Sequence, residues 1–178
     1  MPRVMTEKYL EGKGIFQYKV IRPDEIPFSD EVRRACEANL CGKYATCWTC
    51  PPGVGDMREL EKKIKSYKTA TVFTCKYELE DSFDFETMRE GGRKTAAVLR
   101  EIIAEMKNDG IELMALGCEG CGLCEKCSYP DAPCRFPDKA VPSIEACGVS
   151  VVTLAKNIGI NYHNGANTVT YFCAILTD

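Results

Sequence analysis

Twelve cysteines and a single histidine stand in this chain of 178 residues, and their placement constrains it more than any other feature. The cysteines occupy positions 36, 41, 47, 50, 75, 118, 121, 124, 127, 134, 147 and 173. Four fall between 36 and 50 and five between 118 and 134, whereas a disulfide framework would spread them more evenly. The N-terminal stretch Met1-Pro2-Arg3-Val4-Met5-Thr6-Glu7-Lys8 carries no apolar signal-peptide core. No apolar run reaches membrane-span length. A cytoplasmic location is therefore expected, where thiols stay reduced. A chain this long also closes a core without disulfides. The cysteines are then either packed as small hydrophobes or bound to metal.

The second cluster reads Gly117-Cys118-Glu119-Gly120-Cys121-Gly122-Leu123-Cys124-Glu125-Lys126-Cys127, followed after six residues by Cys134-Arg135-Phe136-Pro137. Cys121, Cys124 and Cys127 form a C-x2-C-x2-C run, the spacing with which a short loop wraps three corners of a [4Fe-4S] cubane. Cys134 supplies a fourth thiol. Zinc is the alternative cofactor, but a structural zinc site uses two knuckles separated by a longer spacer. Three consecutive two-residue gaps, from Cys118 to Cys127, offer more thiols than one tetrahedral ion can use. Cys118 is either an extra ligand or a residue at a strand end. Arg135 either offsets cluster charge or is a plain surface arginine.

The first cluster, Cys36, Cys41, Cys47 and Cys50, has irregular spacing. It is either a second metal or cluster site or partly packing. Pro51-Pro52 removes two N–H donors and stiffens the loop. Trp48, the only tryptophan, covers apolar surface or shields a cluster from water. Cys75 and Cys173 lie in β-branched and aromatic runs and read as buried core, and Cys147 as packed. His163 reads as a solvated loop residue, and one histidine cannot serve a Cys/His zinc pattern at both clusters.

With 45% hydrophobic and 28% charged residues, the chain reads as one globular domain spanning 1–178. Residues 14–22 read as a strand. Ser29-Asp30-Glu31 opens a short helix with Val32, Ala35, Cys36 and Leu40 on one face, so Cys36 is expected to point inward, and Gly42 to stop the helix. Asp56 caps a second helix with a Met57, Leu60, Ile64 and Tyr67 stripe. Residues 71–77 form a strand. A long helix from about 84 to 107 buries Phe85, Met88, Leu99, Ile102, Ile103 and Met106, and Gly91-Gly92 is a weak point where it could break. Residues 111–116 are the next strand. Strand, helix, strand predicts a parallel β-α-β unit, with the second cysteine cluster at the C-terminal end of a parallel strand. Ser143 and Ser150 read as caps of two short helices around Gly148. Asn164-Gly165 is a turn, and residues 168–176 are the last strand. The expected fold is an α/β domain with a mixed sheet of four or five strands.

These residues resemble a known family. Cys36-(x4)-Cys41-Gly42-(x)-Tyr44-(x3)-Trp48-(x)-Cys50-Pro51-Pro52-(x2)-Gly55 is similar to the N-terminal signature of the DUF2284 family of predicted metal-binding proteins. Gly120-Cys121-(x2)-Cys124-Glu125-(x)-Cys127-(x6)-Cys134-Arg135-(x)-Pro137 resembles its second signature, and Ser143-(x)-Glu145-Ala146-(x)-Gly148-(x)-Ser150-Val151 the stretch that follows. The resemblance covers nearly the whole chain. It implies a metal or iron–sulfur centre held by Cys36, Cys41, Cys50, Cys121, Cys124, Cys127 and Cys134, with Cys47 and Cys118 as extras. The first site would then have three thiols, its fourth ligand being open to Cys47 or Cys118.

The function expected is that of an iron–sulfur protein carrying one or two [4Fe-4S] clusters and moving single electrons to or from a redox partner protein or a small-molecule substrate. A three-thiol cluster would leave one iron open for catalysis. The alternative is a zinc-stabilised binding module. With a net charge of −3 and a pI of about 5.4, the chain lacks the basic footprint of a nucleic-acid binder. No membrane partner is expected.

Overall fold

The computed structural model describes residues 5–178. The first four residues, part of the stretch read above for a signal peptide, lie outside the described residues. The chain runs α1 (Glu7–Gly12), β1 (Gln17–Ile21), α2 (Asp30–Glu37), α3 (Met57–Lys65), β2 (Thr69–Glu78), α4 (Phe85–Asn108), β3 (Leu113–Leu116), α5 (Val151–Ile158) and β4 (Thr168–Thr177), with 3-10 turns at Pro23–Glu25 and Glu145–Cys147. The four strands form one sheet in the order β1-β2-β4-β3. No helix among the described residues is long and apolar enough to cross a membrane.

The parallel β-α-β unit is not formed. Every pairing in the sheet is antiparallel. β4, last in the chain, inserts between β2 and β3 and pairs with both, Phe73 facing Cys173 and Ala115 facing Ile175. The second cysteine cluster consequently follows an antiparallel edge strand. β4 holds the centre because both its faces are apolar. Phe172, Ala174 and Leu176 pack on one side with Val72, Ile64, Ile144 and Leu154. Cys173 and Ile175 pack on the other with Phe73, Leu99, Ile102 and Met106. The alternation of a strand thus serves two helical layers at once.

Local signals explain most element ends. Ser29, Asp56, Asp84 and Ser150 each accept a backbone N–H bond at the start of a helix. Ser143 stands one residue before the cap position, which Ile144 occupies, and its hydroxyl still accepts the Ala146 N–H at 3.1 Å. The stripe of α3 is as read: Met57 and Ile64 are buried, with Leu60 and Tyr67 packed at the core margin. The stripe of α2 is not. None of its residues is buried, Cys36 is only half-buried and Leu40 is 95% exposed. Among the described residues only the short Glu145–Cys147 turn packs on that face, and it covers it in part. Polar contacts hold α2, the Arg33 guanidinium donating to Gly55 O at 3.0 Å and Ala146 O at 3.2 Å. The helix ends at Glu37, ahead of Gly42, with Asn39 left-handed at φ 56°.

Gly91-Gly92 does not break α4. A Cβ on Gly91 would stand 2.7 Å from the Tyr77 ring, and one on Gly92 would stand 2.7 Å from Glu119 Oε2. The missing side chains let the helix settle onto β2 and onto the start of the second cysteine loop. Tyr77 and Thr95 share a hydroxyl hydrogen bond of 3.0 Å there. Phe85, expected in the buried face, is 60% exposed, its ring meeting only the also exposed Phe83 edge-on among the aromatic rings of the described residues.

Two glycines give a test of this packing. Gly148 has φ +88° and a Cβ there would fall onto the Met57 side chain. Gly148→Ala is expected to cost about 2–4 kcal/mol, from left-handed strain and overpacking together. Gly91→Ala gains about 1 kcal/mol of helix propensity against the Tyr77 contact, so its loss is smaller. Urea midpoints measure both.

Candidate metal centre

The second cysteine loop is anchored at its root by backbone bonds. Gly117 N–H donates to Pro142 O at 2.7 Å, and Ile144 N–H donates to Gly117 O at 2.9 Å. From Cys118 to Ala140 the chain has no regular element. Its far end is folded on itself. Ser128 Oγ donates to Pro133 O at 2.8 Å, and the Arg135 guanidinium donates to Lys126 O at 2.9 Å. Arg135 therefore braces the loop. The result gathers Cys121, Cys124, Cys127 and Cys134, all half-buried, around one small cavity. Trp48, Leu123 and Phe136 supply its apolar walls.

A fifth thiol lines the same cavity: Cys47, from the first cluster. The two cysteine loops are docked on each other. Trp48 Nε1 donates to Ala132 O at 3.0 Å, and the Trp48 ring meets Tyr129 edge-on with centroids 4.8 Å apart. A Cβ on Gly53 would be 2.9 Å from that same Tyr129 ring, so glycine lets the first loop close in. A Cβ on Gly120 would be 3.6 Å from Cys50 Sγ, placing that thiol against the second loop. The Pro51-Pro52 and Tyr129-Pro130 peptides are both cis.

Thr49 is the junction between the loops. It is 5% exposed, and its hydroxyl oxygen accepts the Cys121 N–H at 3.2 Å. That hydroxyl also lies 3.6 Å from Cys47 Sγ. With its lone pair taken by Cys121, the hydroxyl proton is free for the Cys47 sulfur.

Electrostatics divide the thiols. Burial pushes the Cys50 thiol up to about 12, helped by its hydrogen bond to Cys47 and by Cys41 and Cys36 nearby. At Cys47 burial acts the same way, but hydrogen bonds from Thr49 and Cys50 outweigh it and hold that thiol below its ordinary value. Burial, and then the charge of Cys41, raises Cys36. Burial raises Cys121 as well. Metal binding requires thiolates, so loading such a site releases protons.

The expected ligands therefore fall into two neighbouring groups. Cys121, Cys124, Cys127 and Cys134 share a cavity, while Cys41 lies near enough to raise Cys36, and both raise Cys50. Cys41 is exposed, and Cys36 Sγ stands 4.0 Å from Glu145 O. Among the described residues no three metal-binding side chains are already closed around a single point; the thiols line the cavity wall. Cys118 belongs elsewhere. Its thiol donates to Gly92 O at 3.8 Å and its hydrogen bond to Cys173, with burial, raises the Cys173 thiol. Cys75, Cys147 and Cys173 are buried in the two cores, and His163 is an exposed loop residue. Cys47 and Thr49 are what the sequence reading undervalued. The signal available was a small hydroxyl residue between two cysteines, directly ahead of two prolines.

A family model for predicted metal-binding proteins (DUF2284) matches residues 19–177. The chain belongs to that family. No curated protein and no solved structure is detectably similar to it.

Thr49→Val removes both hydroxyl contacts and leaves the Cys121 N–H without its acceptor, a loss of about 1–3 kcal/mol. Metal retained per chain after buffer exchange should fall with it. Thr49→Ser keeps the hydroxyl and should stay within about 1 kcal/mol of the parent. Retention should also fall as the pH is lowered, because bound thiolates must be displaced by protons and burial favours the protonated form of Cys50 and Cys121.

Proposed function

We propose that this chain is an iron–sulfur protein whose Cys121, Cys124, Cys127 and Cys134 hold a [4Fe-4S] cluster, and that it passes single electrons to or from a partner protein or small molecule. The observation that carries this reading is the convergence of those four thiols, three of them at two-residue spacing, on one cavity. The donor set is all sulfur, which suits iron–sulfur clusters and zinc and disfavours hard cations. A cluster so held supplies one-electron exchange at a potential between about −700 and +450 mV.

The chain's own residues define the surroundings. Trp48 and Leu123 wall the cavity against water, and exclusion of water lowers the dielectric around a charged centre. Thr49 fixes the Cys121 amide and orients the Cys47 sulfur. Cys47 is the available substitute for any of the four. Cys36, Cys41 and Cys50 form a second, three-thiol site beside it, the reading under which the protein carries two centres.

Anaerobically purified protein should be brown and carry about four irons and four sulfides per cluster. Dithionite should bleach its visible absorption and produce a paramagnetic signal. Cys124→Ser and Cys127→Ser should each lose most of that iron, while Cys75→Ala and Cys173→Ala keep it and cost only about 1–2 kcal/mol of stability. A colourless protein with one zinc and no sulfide would establish the zinc-stabilised module instead.

A further inference from the structure

Beside the cysteine cavity lies a much larger cleft, about 930 Å³ in volume. The two share a wall made by Trp48, Thr49, Leu123, Cys134 and Ala140. The floor of the cleft is the outer edge of β3, at Leu113, Met114 and Ala115. One side is α3, with Leu60 and Lys63, and Tyr67 just beyond its end; the opposite side is α4, with Arg100, Ile103, Ala104 and Lys107. Residues 137–142 close it from outside.

The floor offers unsatisfied backbone groups. Gly117 directs its N–H and C=O outward, to Pro142 and Ile144. Thr177 gives its carbonyl to Lys68 N–H on the β2 side, so Leu176 and Ala174 are the β4 residues that face β3. Both observations fix the same alternation. Ala115 and Leu113 therefore aim their N–H and C=O groups into the cleft, and among the described residues nothing bonds to them from that side. Ala115 is only 8% exposed.

The charge of the cleft is one-sided. Lys63, Arg100, Lys107 and Lys139 line it against the single carboxylate of Asp138. Among the described residues none of those four cations is ion-paired. Lys107 alone has a bond recorded, donating to the Asp138 carbonyl at 2.9 Å. Arg100 and Lys107 lie seven residues apart on α4 and so share a face. Arg100 also lines the small pocket containing Cys118, Glu119 and Cys121. It stands between the cleft and the second cysteine loop.

We infer that this cleft is a substrate site serving the cysteine centre, and that it takes a small organic anion with an apolar body. The anionic head sits between Arg100, beside the second cysteine loop, and Lys107, two turns further along α4, and the apolar body lies along Leu60, Tyr67 and Met114. The volume falls within the usual range for small-molecule sites, about 300–1,000 Å³. Its role as a substrate site rests on the metal-centre reading above; its ability to bind such an anion does not.

The test uses full-length, anaerobically purified protein and 8-anilinonaphthalene-1-sulfonate, an amphiphilic anion that fluoresces when its rings leave water. A single saturable site is expected. Octanoate or octyl phosphate should displace the probe, the better competitor identifying the preferred head group, and octanol should not. Arg100→Gln combined with Lys107→Gln should weaken the probe about tenfold or more, the loss of two charge-assisted contacts. The uncharged analogue N-phenyl-1-naphthylamine should bind both forms alike, and Arg100→Lys should retain the probe. Absence of saturable binding, or binding indifferent to these substitutions, overturns the proposal. Iron, sulfide and zinc are measured on the same samples. Metal-loaded protein that ignores the probe overturns the cleft alone. Charge-dependent binding by metal-free protein supports the anion site and overturns the metal reading.

Discussion

The buried hydroxyl of Thr49, shared between the Cys121 amide and the Cys47 sulfur, is the contact on which the candidate centre depends. Neither cysteine loop contains regular structure of its own. Each therefore needs fixed points outside itself. The second loop has its root at Gly117 and its own internal bonds. The first has Arg33, Trp48 and Thr49, and the last two reach directly onto the second loop. One hydroxyl at the interface thus helps to place a thiol and, together with bonds from Cys50, the Thr49 backbone and Thr46, lets it ionise more readily despite its burial. The neutral bonds involved are individually worth about 1 kcal/mol, but leaving a buried amide unpaired costs more.

That interface exists because of the position of β4. Inserting the last strand between β2 and β3 pushes β3 to the sheet edge, and the second loop then runs along α4, touching it at Gly92 and again at Lys107. The glycine pair in α4 then allows the helix to lie close to Tyr77, Glu119 and Cys118. The same arrangement leaves the outer edge of β3 uncovered between α3 and α4, which is how the charged cleft comes to adjoin the cysteines. Sheet order, loop docking and cleft are one construction.

Much of this was legible in the residues. Ser29, Asp56 and Ser150 announced their helices through capping chemistry, and the runs at 71–77 and 168–176 announced β2 and β4. The spacing of Cys121, Cys124 and Cys127 pointed to one loop around one cavity. Strand order was not legible, because local pattern says which residues make a strand but not which strands meet. A terminal strand apolar on both faces could have hinted at a central place. Cys36 was misread for a related reason. Its helical stripe is real, but a stripe predicts burial only as far as another layer covers it: the Glu145–Cys147 turn half-buries Cys36, and Leu40, beyond the helix end, is left exposed. α1 went unnoticed since Leu10 is the one residue it buries. Cys47 looked like an extra because the resembled family signature has no cysteine there, and the cavity cysteines it joins lie more than seventy residues on.

Differential alkylation of the anaerobic protein, read by mass spectrometry before and after chelation, addresses the central claim most directly. If Cys121, Cys124, Cys127 and Cys134 hold one centre, all four should resist alkylation in the loaded protein and become reactive together once the metal is stripped. Cys75, Cys147 and Cys173, being buried in the cores, should stay unreactive in both states. Equal labelling of Cys124, Cys127 and Cys134 in the loaded and stripped protein would contradict the account.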